Sequence, residues 1–132
     1  MDKRLQKTKR LLKVQEQLYQ IAELELATLQ RQATELRSTQ ETLIATLNDD
    51  EALHGLFVEA RSRRLQALAV EEGRVNVAQV EQKKAALDRA MQVKRTERMV
   101  GSLSVEHRRT TEKKDYLMLL DSLTTTSGAS LP

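Results

Sequence analysis

The chain has 132 residues, of which 31% are charged, with one Phe, two Tyr, no Trp and a single Pro at the last position. Aromatic side chains usually anchor thick cores, so a chain this poor in them is not expected to build a globule around a deep pocket. The absence of Cys excludes disulfides, thiolate metal sites and thiol catalysis.

The N-terminal stretch carries Lys3, Arg4, Lys7, Lys9, Arg10 and Lys13. No apolar segment of signal-peptide type follows it. No run approaches the roughly 20 apolar residues that span a bilayer. A cytoplasmic location is therefore expected.

Between Leu5 and Leu47 there is neither Pro nor Gly. Leu26, Leu29, Ala33, Leu36, Leu43 and Leu47 recur at three- and four-residue spacing and outline one narrow apolar stripe, interrupted by Gln40. Upstream, Leu11, Val14, Leu18 and Ala22 suggest a continuation through eleven-residue steps. The spacing predicts helix one over about residues 4–47.

Asn48, Asp49, Asp50, Glu51 and Gly55 break the pattern and predict a turn at about 48–56. Helix two is expected over about 57–123, with Val70, Val77, Val80, Leu87, Met91, Met99 and Leu103 as its apolar stripe. Gly73 and Gly101 inside it each cost about 1 kcal/mol relative to Ala. Residues 124–132, rich in Thr and Ser, read as a disordered tail.

Charge favours a chain that folds back. Residues 1–13 carry net +5, residues 14–60 net −7 and residues 61–132 net +5. Opposite charges beside a helical seam select partner and orientation. The expected fold is all-α: two long helices in an antiparallel coiled-coil hairpin, residues 1–123, reversing near residue 52. The longer second helix then overhangs the N-terminus by about 30 Å, at 1.5 Å per residue.

Catalytic constellations are missing from the sequence. His54 is a lone turn histidine, Glu106 beside His107 does not face it on a helix, and no Gly-rich phosphate loop or positioned nucleophile is present. Two features point to protein partners instead. The first is the basic end formed by Lys3, Arg4, Lys7, Arg10 and Lys13 with Arg108 and Arg109. The second is Tyr116, Leu117, Leu119, Leu120 and Leu123, an apolar run that helix one is too short to cover. Nucleic acid is disfavoured, because no aromatic residue lies in the basic end to stack on a base. A non-enzymatic binding protein needing no cofactor is the expectation.

The opening, residues 4–17, reads RLQKTKRLLKVQEQ, and residues 21–32 read IAELELATLQRQ. This basic, Leu-spaced start followed by an Ala/Glu/Leu/Gln-rich helix resembles the flagellar FliJ family. The resemblance extends over most of the chain as length, two-helix plan and basic second helix. It implies a coiled-coil stalk component of a flagellar or related type III protein export apparatus, serving protein transport and motility. It also implies, as partners, the hexameric export ATPase, the cytoplasmic domain of the export gate and export chaperones, and with them a peripheral association with membrane machinery at the inner face of the cell membrane. No family contact residue maps onto a position of this sequence. The alternative is a generic coiled-coil scaffold or adaptor that self-associates.

Overall fold

The computed structural model describes residues 2–49 and 54–129. Two helices and no strand make up these residues: α1, Lys3–Asp49, and α2, His54–Ala129. They pack against each other as a two-helix hairpin. The expected turn at 48–56 is narrower than the sequence suggests. Residues 48–49 and 54–56 are helical, and 50–53 lie outside the described residues. Gly55 belongs to the first turn of α2, and no glycine among the described residues has a positive φ.

Asp2 starts α1. Its Oδ1 accepts from the Arg4 backbone N–H at 3.0 Å and its carbonyl from the Gln6 N–H at 3.2 Å. This is the cap that a helix needs for its unpaired first amides. α2 continues through Thr124 to Ala129, where composition predicts a tail. Thr124 and Thr126 donate their hydroxyls to the carbonyls of Leu120 and Ser122. A threonine bonded in this way is compatible with a helix, and no Pro intervenes to stop it. Residues 130–132 lie outside the described residues.

The chain divides into two units. Residues 17–91 form one, and residues 1–16 with 92–132 form the other. In the unit 17–91, Ala22, Ala33, Val75 and Ala86 are the buried apolar side chains. Ala22 with Ala86, and Ala33 with Val75, share residue 54 as their midpoint. The bonded pairs Ala22–Gln82 and Gln40–Glu72 have midpoints at 52 and 56, so the reversal falls about where the sequence places it. Gln82 Nε2 donates to the Ala22 carbonyl at 3.1 Å, and Gln40 Nε2 donates to Glu72 Oε2 at 2.7 Å. Contacts between residues so far apart in sequence, with order reversed, are those of an antiparallel pair.

In the other unit, Leu5, Thr8, Thr96 and Leu103 are buried. Leu5 and Leu103 have the same midpoint. The Thr8 hydroxyl donates to the Arg4 carbonyl at 2.8 Å, which satisfies it inside the seam.

The seam itself differs from the expected one. On α1 the shielded positions fall in two series, 5, 12, 19, 26, 33, 40 and 47, and 8, 15, 22, 29, 36 and 43, with Gln6 and the expected Leu18 part-shielded beside them. Both series advance by seven, so the heptad is unbroken and there are no eleven-residue steps. Leu26 to Leu47 is the stripe expected, but Leu11 and Val14 are half exposed. Thr8, Leu12, Gln15 and Tyr19 occupy the seam in their place.

On α2 the shielded series are 65, 72, 79, 86, 93, 100 and 107, with 61, 68, 75, 82, 96 and 103. Val70, Val77, Val80, Leu87, Met91 and Met99 are all exposed; of the expected stripe only Leu103 is buried. The physical reason is partner geometry. α1 offers one continuous heptad, and α2 turns Leu65, Leu68, Val75, Ala86, Val93, Thr96, Val100 and Leu103 towards it, with Glu72, Gln79 and Gln82 part-shielded among them.

Gln40, expected as an interruption, is the centre of a polar cross-link. Glu72 takes its hydrogen bond and also pairs with Arg37 Nε at 3.5 Å. The ion pair has its base on α1 and its acid on α2, the reverse of the gross charge trend. A polar residue in such a seam fixes register more than it stabilises.

Gly101 lies within α2, and a Cβ added there would meet nothing within 4 Å. Gly101→Ala is expected to stabilise the protein by about 0.5–1 kcal/mol through lower unfolded-state entropy and better helix propensity. Urea unfolding of the two proteins checks this; an unchanged midpoint would contradict it.

Candidate partner-binding surfaces

Lys3, Arg4, Lys7, Arg10 and Lys13 follow from the seam register. None falls on a seam position of α1, so their side chains are exposed around its first turns. Arg108 and Arg109 are exposed on α2 and belong to the same unit as residues 1–16. The structure therefore brings the two basic stretches into one unit. Long basic side chains at such sites keep their charge in water and are free to meet an anionic surface.

The second surface begins where α1 ends as a partner. Past His107, every residue from Arg108 to Thr126 is exposed. Tyr116, Leu117, Leu119, Leu120 and Leu123 all stand on this stretch, together with Met118 at 69% exposure and Leu120, the least exposed, at 40%. Five consecutive apolar residues on a helix point nearly all round it, so one neighbour covers only part of the set. Large exposed apolar patches are uncommon on isolated soluble chains, which makes this run a candidate surface.

Among the described residues no group of three His, Cys, Asp or Glu is placed to hold a metal ion. No helix among them is long and apolar enough to cross a membrane. The depressions along the unit 17–91 are open grooves, one on α1 alone, by Tyr19, Gln20, Glu23, Leu24 and Ala27, and others between the helices. One of the latter is lined by Gln32, Glu35, Leu36, Thr39, Glu71 and Val75. Tyr19 donates its phenol to Glu23 Oε1 at 2.6 Å. That bond, followed by partial burial and the carboxylate's charge, raises the phenol above its ordinary pKa.

Sequence reading missed the exposed stripe Val70, Val77, Val80, Leu87 and Met91 as a surface, having assigned it to the seam. It also missed Leu11, Val14, Ile21 and Leu24, which are exposed on α1. The signal that could have separated seam from surface was the strict seven-residue step of Leu5, Leu12, Tyr19, Leu26 and Ala33. No family model, no curated protein and no solved structure matches this chain.

Proposed function

We propose that this chain is a non-catalytic coiled-coil component of a flagellar or type III protein export apparatus. In this reading it is a stalk that binds the export ATPase ring and links it to the export gate or to chaperones. The observation that carries a binding role is the exposed apolar run from Tyr116 to Leu123 on a helix that its own chain leaves uncovered. The resemblance of residues 4–17 and 21–32 to the FliJ family supplies the kind of partner. An elongated helix presenting apolar anchors is the form that fits a groove or a ring opening.

The basic end has a separate part. Lys3, Arg4, Lys7, Arg10, Lys13, Arg108 and Arg109 steer the approach, and the apolar run then holds the complex. Steering by exposed charge acts over about 8–10 Å at physiological salt and fades as salt rises. Lys7→Glu with Arg10→Glu and Lys13→Glu is expected to lower the association rate severalfold and to leave the dissociation rate nearly unchanged. Stopped-flow binding to the export ATPase at several salt concentrations measures both. Equal association rates for the two proteins would reduce these charges to solubilising groups.

The reading as a whole is tested by titrating the purified chain against the hexameric export ATPase of the same organism in a calorimeter. Saturable binding supports it. Absence of heat or of complex on gel filtration at micromolar concentrations would contradict it.

A further inference from the structure

The exposed stripe on α2 has a regularity that a solvated face does not need. Val70, Gly73, Val77, Val80, Lys84, Leu87 and Met91 alternate three- and four-residue steps along the back of the helix, away from the hairpin seam. Val70 is 74% exposed and Val80 71%. The stripe lies wholly within the unit 17–91 and runs for about 30 Å at the α-helical rise. This is the spacing of a second coiled-coil seam, left without a partner.

We propose that this face binds a second copy of the chain, the two α2 helices running antiparallel about a two-fold axis that passes between Val77 and Val80. The stripe is complementary to its own reverse. In the antiparallel register Val70 meets Leu87 of the second copy, Val77 meets Val80, and Gly73 meets Lys84. The one long charged side chain in the stripe thus lies over the one residue without a side chain. Gly73 has open space where a Cβ would stand, so the aliphatic stem of Lys84 can cross there and carry its ammonium to water.

The flanks agree as well. Arg74 and Glu81 border the stripe on one side, and the two-fold axis sets Arg74 of each copy beside Glu81 of the other. On the opposite side Asn76 meets Lys83, and Ala69 meets Ala90. No like charges are opposed at these flanks. Arg74 is at present held by Glu71 of its own helix in an exposed pair at 2.5 Å. Such pairs contribute little, so exchanging Glu71 for Glu81 of a second copy costs little. An isologous interface of this type requires the same patch to be its own complement, which the sequence 70–87 satisfies. The surface is distinct from residues 116–123, so the inference stands apart from the export reading.

Sedimentation of the full chain over roughly 1–500 µM tests the proposal, because a short seam of this kind should give a concentration-dependent dimer in that range. Val80→Glu places a carboxylate against the valines of the second copy and is expected to raise the dimer dissociation constant at least tenfold. Because Val80 is exposed in the single hairpin, its helix content should stay unchanged by circular dichroism. Arg74→Glu is expected to weaken the dimer severalfold, and Arg74→Glu combined with Glu81→Arg to restore it. Leu117→Ser with Leu120→Ser should leave the dimer intact. A chain monomeric throughout the range overturns the proposal. So does a dimer that survives Val80→Glu, one that the double charge reversal fails to restore, or one abolished by the Leu117 and Leu120 changes.

Discussion

Changing Leu117 and Leu120 to Ser weakens the complex with the partner by one to several powers of ten, about 2–4 kcal/mol in total, and leaves the melting temperature of the free protein unchanged. Apolar anchors that enter a partner's groove carry most of the energy of such an interface. Each forgoes roughly 1.5–3 kcal/mol while it stays in water. Both side chains are exposed, and neither contributes to the buried set of Leu5, Thr8, Thr96 and Leu103 in their unit. Calorimetric titration beside thermal melting separates the outcomes. A fall in melting temperature with normal binding by the folded fraction would place these leucines in the protein's own core and end the proposal.

Ala86→Glu and Val77→Glu give opposite results, and the difference follows from which face of α2 is buried. Ala86 is 5% exposed and lies against α1 beside Leu26 and Tyr19. A carboxylate there must lose water without gaining a partner, and a destabilisation of about 2–4 kcal/mol is expected. Val77 is 60% exposed, so the same change should fall within about 0.5 kcal/mol of the unmodified protein. Urea unfolding at low-micromolar concentration, where the hairpin is studied singly, measures both. If Val77→Glu unfolds the protein and Ala86→Glu does not, the seam lies along the valine stripe and the register described above is wrong.

The contrast between these two residues also shows how far the sequence could be read. Two helices without a strand, and the downstream half of α1 from Leu26 to Leu47, were legible because apolar residues there coincide with the heptad. The polar member Gln40 was recognised as an interruption, though not as a hydrogen-bond partner of Glu72, since that pairing depends on the register between helices. The seam of α2 was not legible. Val70, Val77, Val80, Leu87 and Met91 form one apolar series, whereas the hairpin shields another, Leu65, Leu68, Val75, Ala86, Val93, Val100 and Leu103, that is interrupted by Glu72, Gln79, Gln82 and Thr96. Two apolar series compete on one helix, and only the heptad of α1 decides between them.

A similar competition misplaced the upstream half of α1. Leu11 and Val14 are more apolar than Thr8 and Gln15, yet the seven-residue step from Leu5 carries the latter two inward. The candidate surface at 116–123 was readable for a simpler reason. It depended only on helix lengths, and every residue of that run is exposed. The basic residues at the N-terminal end were readable from charge density alone, but their meeting with Arg108 and Arg109 in one unit required the hairpin. The end of α2 was set too early because Thr and Ser were read as tail residues, while Thr124 and Thr126 bond back to their own helix.

The antiparallel hairpin is tested most directly by a disulfide. The natural chain has no Cys, so Ala33→Cys with Val75→Cys introduces one pair and no competitor. Both positions are buried in the same unit. Mild oxidation of the dilute protein is expected to close the bond within one chain, giving a monomer of altered mobility on a non-reducing gel and a raised melting temperature. Bonds formed only between chains, or none at all, would contradict the hairpin and its register.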